Sequence, residues 1–238
     1  MIWPISLLTT KQAPLQPDNS TSSQTVIDLA NRFFSWGASK ISPPLSKNFV
    51  SIEIIPDEDF NISIDTARTH IRPAEIPDQT WYADLFQDPE VYQLNGDLSP
   101  FSYDYVLDLL EQNGFANASP LGQYTVTEKN GGSFIGTFSL RKAPTDEKAI
   151  TVGLALNKKF QRKGYGTEIG NAILNLIKTL HTHGYLKKYT KVQAISHIQN
   201  IGSQKIQERM GLKPVIPKDK VPFVTFEASL GNNLKLLP

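Results

Sequence analysis

The sequence predicts an α+β domain with a mixed central sheet flanked by helices. Three observations lead there. Strand-like segments, either alternating or continuously apolar, recur at 122–128, 133–143, 149–156, 189–196 and 221–229. A strong amphipathic helix follows the third of these. From Thr167 on, Ile169, Ala172, Ile173, Leu176, Ile177 and Leu180 fall at helical spacing. The elements also interleave, in the order strand, two helices, hairpin, strand, helix, strand, helix, strand, which mixes strand directions.

Taken in order, 11–24 is rich in Pro, Ser, Thr and Gln and reads as a connection. Val26, Leu29, Phe33 and Phe34 suggest a short helix ending at Gly37, and 48–56 alternates like a strand. The main body is expected to start near residue 64, with a strand over 65–73 ending at Pro73 and a short helix after Asp78. Residues 88–102 carry many turn formers and read as a loop. Ser102 is placed to cap a helix whose apolar face is Tyr105, Val106, Leu109 and Leu110, stopped by Gly114. "NGG" at 130–132 reads as a hairpin turn. Gly184 ends the long helix, and Asn200 can cap a last helix closed by Gly211.

Composition narrows the function. The chain has 238 residues and a formal net charge of +1, without the basic surplus of a general nucleic-acid binder. It has no Cys, which removes disulfides, thiolate nucleophiles and Cys-based metal sites. The N-terminus has no basic region before its short apolar run, and no segment approaches the about 20 apolar residues of a membrane span. A cytoplasmic protein without nucleic-acid or membrane partners is expected. His181 and His183, two apart on a helix, point to different faces, so no metal pair is expected.

The chemistry-bearing stretch is "NKKFQRKGYGTEIG", 157–170. Lys158, Lys159, Arg162 and Lys163 stand beside Gly164 and Gly166 at the start of the long helix. A helix N-terminus with free N–H groups, flexible glycines and nearby cations suits a phosphate or pyrophosphate. The spacing fits no P-loop. A dinucleotide turn is disfavoured, because residues 157–163 separate Gly164 from the preceding strand. Gln161-Arg162-Lys163-Gly164-Tyr165-Gly166 instead fits Q/RxxGxG/A. Here the sequence resembles the GNAT superfamily of acetyl-CoA-dependent N-acetyltransferases. "VGLALNKKFQRKGYGTEIGNAIL", "NIGSQKIQERMGL" at 200–212 and "HIRPAEIPDQTWYADLFQDPEV" resemble its RimJ/RimL-like branch, in the right order. The likeness spans about 64–230, leaving 1–63 as an N-terminal extension and 231–238 as a tail.

The resemblance implies a GNAT acyl-CoA N-acyltransferase fold with acetyl-CoA (coenzyme A) as cofactor. Its arm would lie between strands 149–156 and 189–196, held by the main chain of Leu154, Ala155 and Leu156, with Leu154 facing the thioester oxygen. Gln161, Arg162, Lys163, Gly164, Tyr165, Gly166 and Thr167 would wrap the pyrophosphate. Asn200 and Ser203 would contact the arm near the sulfur. The acceptor would be a small-molecule amine or a protein N-terminus, with an aromatic loop (Tyr92, Phe101, Tyr103, Tyr105) in the place of the acceptor pocket. Two departures stand out. Thr151 replaces the common carboxylate of the strand, and Gln207 replaces the Tyr often used as acid. Ser203 is the candidate general acid, and Glu90, Asp97 and His197 are candidate bases. The missing groups keep a second reading open, an acyl-CoA-binding regulatory or pseudo-enzyme domain.

Overall fold

The structure, a computed structural model, describes residues 51–56, 60–95, 100–113, 119–215 and 222–230. The helix expected near 25–37 and the C-terminal tail lie outside these. Among the described residues, nine strands form one sheet in the order β1-β2-β3-β4-β5-β6-β7-β9-β8. They are β1 Ser51–Pro56, β2 Phe60–Asp65, β3 Thr69–Pro73, β4 Gly122–Glu128, β5 Phe134–Lys142, β6 Ala149–Leu156, β7 Lys191–His197, β8 Lys213–Val215 and β9 Phe223–Ser229. Every neighbouring pair is antiparallel except β6 with β7, so the mixed sheet is as expected. Residue 64, where the main body is expected to start, falls inside β2. The sheet runs back to Ser51 by pairing β1 with β2.

The helices are α1 Gln79–Gln87, α2 Pro89–Asn95, α3 Tyr103–Asn113, α4 Tyr165–Thr182 and α5 Ile201–Arg209. α2 occupies the segment read as a loop. The Asp88 carboxylate accepts the Glu90 N–H at 2.9 Å, and Pro89 takes the first helical position, where its missing N–H costs nothing. Ser102 does cap α3, accepting the Tyr105 N–H at 3.1 Å. The short β8 was not foreseen. It carries Pro214, which an edge strand tolerates. The "NGG" turn is as read, with Gly131 and Gly132 at φ 113° and 66°.

Each sheet face has its own core. On one, Ile169, Ile173, Leu176, Ile177 and Leu180 of α4 pack on Phe138, Leu140, Ile150 and Val192. The other holds Tyr82, Leu85, Val106, Leu110 and Phe134 under α1 and α3. This second face is partly polar. Asp78, 2% exposed, takes both fork nitrogens of Arg72 at 2.8 Å, the Thr125 hydroxyl at 2.6 Å and the Glu75 N–H at 3.0 Å. Burial raises the Asp78 pKa, but these hydrogen bonds outweigh it, and the group sits below the ordinary carboxylate value.

Arg72 and Asp78 thus lock β3 to the start of α1. Asp78→Ala should lose about 3 kcal/mol in urea unfolding, because it strands Arg72 without its partner. A depressed folded pKa adds stability above the unfolded value and loses it as pH falls through the folded one. The wild-type advantage over Asp78→Asn should therefore hold at neutral pH and shrink below about pH 4. A pH-independent gap would refute a charged Asp78.

Candidate active site

β6 and β7 pair only from Ala149 with Lys191 to Val152 with Ala194. Beyond that, β6 stays on β5 as far as Leu156, and β7 stays on β9 as far as His197. The central strands part and leave a wedge. The Asn157 N–H donates to the Ile135 carbonyl at 2.8 Å. Alternation along β6 then turns the main-chain groups of Gly153 and Ala155 toward β5, and those of Leu154 and Leu156 toward the wedge. Ala155, expected to hold the cofactor arm, therefore offers no main-chain group there. The Leu156 carbonyl is taken by the Gln161 side-chain amide at 2.9 Å. What faces the wedge is the Leu154 N–H and C=O and the Leu156 N–H.

The wedge opens into a cavity of about 1170 Å³, bordered by Leu154, Gly164, Thr167, Asn200 and Ser203 among others. Its volume suits an extended ligand. α4 points its N-terminus at one end. The Glu168 N–H makes the first helical bond, to the Gly164 carbonyl at 3.1 Å, so the N–H groups of Tyr165, Gly166 and Thr167 have no helical acceptor. Arg162 and Gly164 both have left-handed φ, 58° and 85°, which bends the loop into the helix start.

Within this loop the expected residues divide. Gln161 braces the end of β6, and its own N–H bonds to Lys158, so it is committed to holding the loop. The Lys163 carbonyl accepts from Arg68 at 3.0 Å, and Lys163 itself is exposed and off the cavity wall. The Tyr165 side chain is buried. Its hydroxyl donates to Glu128 at 2.9 Å, so only its N–H can serve a ligand. Burial, then Glu128, raises that phenol's pKa. Gly166 gives α5 room, since a Cβ there would stand 2.6 Å from Ile206 Cδ1. Arg162, Gly164, Gly166 and Thr167 do line the cavity.

Sequence reasoning missed two cations. Arg68 donates through Nε and Nη2 to Glu168 at 2.7 Å and lies 4.1 Å over the Tyr165 ring. Glu168 also accepts from Thr66 at 2.6 Å and from the Arg68 N–H at 2.9 Å. Arg209, at the end of α5, donates to the Thr167 hydroxyl at 2.9 Å. No local pattern marks either, because each partner lies far along the chain.

At the other side, Asn200 caps α5 by accepting the Ser203 N–H at 3.1 Å. Gln207, 5% exposed, donates to the Ser203 hydroxyl at 3.1 Å and accepts from Ser196 at 3.4 Å. Ser203 Oγ thus receives a hydrogen bond and keeps its own proton to give. Of the base candidates, Glu90 is exposed and ion-paired with Lys158, whose pKa it raises. His197 Nδ1 accepts the Gln199 N–H at 3.2 Å, which leaves the proton of the neutral ring on Nε2. Both border the cavity, and each already has a partner. Asp97 lies outside the described residues. Phe101 reaches the cavity and packs on Phe86 and Tyr105, whereas Tyr103 turns its hydroxyl to Asp84 at 3.3 Å. Among the described residues no three His, Asp or Glu side chains gather as a metal site, and no helix is long and apolar enough to cross a membrane.

Parted central strands beside a glycine-led helix N-terminus leave room for an extended ligand with an anionic end. The chain belongs to the acetyltransferase (GNAT) domain family, whose model matches residues 68–213. Acetyl-CoA is the usual cosubstrate of that family. Among solved structures, the chain is similar to a GNAT-family acetyltransferase from Bacillus anthracis, with 19% identity and TM-score 0.54 over 69% of this chain and 95% of that one. It is also similar to spermidine N-acetyltransferase from Vibrio cholerae in complex with CoA and spermine, with 14% identity and TM-score 0.58 over 71% of this chain and 100% of that one. A third is aminoglycoside acetyltransferase AAC(6')-Ib with coenzyme A, at 16% identity and TM-score 0.52 over 68% and 94%. At these identities the likeness is one of fold. No curated protein sequence matches the chain.

If Arg68 holds the loop in shape, Arg68→Ala should weaken coenzyme A binding about tenfold, equivalent to about 1.4 kcal/mol, while circular dichroism stays native. Arg68→Lys should not rescue it, since a lysine cannot span Glu168 and the Lys163 carbonyl together. Calorimetric titration gives both values, and full rescue by lysine would show that charge alone matters.

Proposed function

We propose that this protein is an acetyl-CoA-dependent N-acetyltransferase of the RimJ/RimL-like branch, acting on a primary amine of a small molecule or a protein N-terminus. One observation carries the reading. The Leu154 N–H is unpaired in the wedge, at the far end of a channel that begins at the free N–H groups of α4.

The residues present fit the cofactor. A pyrophosphate at Gly164, Gly166 and Thr167 meets free N–H groups and the positive end of the α4 dipole, with Arg162 beside it. The pantetheine arm would pair with Leu154 and Leu156 as an added strand. Bound acetyl-CoA supplies an activated acetyl thioester. The Leu154 N–H is aimed to stabilise negative charge on the thioester oxygen during attack. Ser203, which accepts a hydrogen bond from Gln207, would give its proton to the departing sulfur and regain one from water. Asn200 fixes the first turn of α5 and so the position of Ser203. Glu90 and His197 border the cavity but are each engaged, and water in the open cavity would carry the amine proton away.

Nothing among the relatives supports the regulatory or pseudo-enzyme alternative. Gln207, which cannot act as an acid itself, holds the Ser203 hydroxyl at 3.1 Å, which supports Ser203 as the donor.

Thiol release from acetyl-CoA, followed against an amine panel, tests the reading. Ser203→Ala should lower kcat about 100-fold and leave the KM for acetyl-CoA nearly unchanged. Absence of thiol release with every amine would reject the catalytic reading, and an unaffected Ser203→Ala would reject Ser203 as donor.

A further inference from the structure

Arg141 near the end of β5 is a cation that the acetyl-transfer machinery does not use. Its Nε is fully out of solvent and has no hydrogen-bond partner, and the guanidinium makes no ion pair among the described residues. Its electrostatic neighbours are the phenols of Tyr82 on α1 and Tyr105 on α3, and burial pulls its pKa below the ordinary arginine value. Natural folds seldom leave a buried guanidinium without a carboxylate, because desolvating a charge is costly. The nearest acid in sequence is engaged elsewhere, since Asp146 accepts from Lys191 at 3.0 Å. Glu227, on β9, accepts from Gln193 at 2.6 Å.

The surroundings make a second observation. Thr151 is the cross-strand partner of Arg141, so the two side chains share one sheet face. Its hydroxyl Oγ1 is also buried and without a partner. Arg141, Ser139 and Gln193 border the same cavity as Leu154 and Ser203. Two polar groups on one sheet face, the Nε of Arg141 at the cavity wall and the hydroxyl of its cross-strand partner Thr151, are thus left unsatisfied. Such groups call for a ligand atom that accepts hydrogen bonds and carries negative charge.

We propose that Arg141, with Thr151, is the recognition site for a carboxylate on the acceptor, so that the enzyme acetylates amines that carry an acidic group. The proposal rests on the acetyltransferase reading for the amine end of that acceptor. A carboxylate fits better than a phosphate monoester, whose charge near −2 wants more than one cation. Position also bounds the acceptor's length. Thr151 lies three residues from Leu154 along β6, about 10 Å at strand rise. The acid therefore sits several bonds away from the attacking nitrogen, as in an ω-aminocarboxylate or a short acidic peptide. The neighbouring cation also disfavours the charged ammonium, which helps a site without a strong base to present a neutral amine.

The test uses the full chain saturated with coenzyme A. A length series of straight-chain ω-aminocarboxylates and their matched primary amides is titrated by calorimetry, and the same compounds are assayed for thiol release. At least one carboxylate should bind tenfold or more tighter than its amide. Arg141→Met should abolish that preference, and Arg141→Lys should keep part of it. Because the charge has no partner to lose, Arg141→Met should melt at or above the wild-type temperature. Equal binding of every acid and amide overturns the proposal, as does a preference that survives Arg141→Met. A clear drop in melting temperature would mark Arg141 as structural and also overturn it. Carboxylate selectivity without thiol release would leave the recognition site standing and reject only the catalytic reading.

Discussion

The parting of β6 from β7 after Val152 and Ala194 governs everything else in this molecule. Up to that point the sheet is continuous. Beyond it the two strands follow different neighbours, β5 and β9, and neither can complete its ladder with the other. Buried or half-buried main-chain groups require partners. The break therefore creates a demand, at Leu154 and Leu156, that an extended ligand can meet as a strand would. It also sets the spacing of the site, since α4 starts after the β6 end and α5 after the β7 end. One wall carries the N-terminus of α4 and the other carries Ser203.

The basic loop between β6 and α4 works mainly by being held still. Arg68 bonds to the Lys163 carbonyl and to Glu168, stacks over Tyr165, and is itself tied back through Thr66 and Glu168. Gln161 closes the loop onto Leu156. A loop pinned from both ends presents its N–H groups in one arrangement, so little conformational entropy is lost when an anion arrives. The polar floor of the opposite sheet face is a different matter. Asp78 and Arg72 satisfy each other fully, whereas Arg141 and Thr151 do not, and that contrast within one face separates structural polarity from polarity that awaits a ligand.

The fold was largely legible because its signals are local. α4 shows its helical period, Ser102 and Asn200 are side-chain caps, and "NGG" makes its turn. The glycine motif was legible as a helix start for the same reason. What escaped depends on contacts distant in sequence or on parity along a strand. Arg68 meets Glu168 a hundred residues away. Whether Ala155 or Leu154 faces the wedge depends on register with β5, which no single strand reveals. Gln161 and Tyr165 sit inside the motif yet spend their side chains on the scaffold. α2 was hidden by its turn-rich composition, although Asp88 followed by Pro89 is a helix-start signal. Arg141 could have been suspected from the alternation of Thr137, Ser139 and Arg141, but its lack of a partner is a property of the folded chain alone.

Backbone amide exchange, measured residue by residue by NMR, tests the alternation along β6 most directly. Adding coenzyme A should slow exchange at Leu154 and Leu156 and at the Gly166 and Thr167 amides of α4. The Ala155 amide, already bonded to β5, should not change. Slowing at Ala155 with none at Leu154, or no slowing on β6 despite saturation, would contradict the wedge as the cofactor channel.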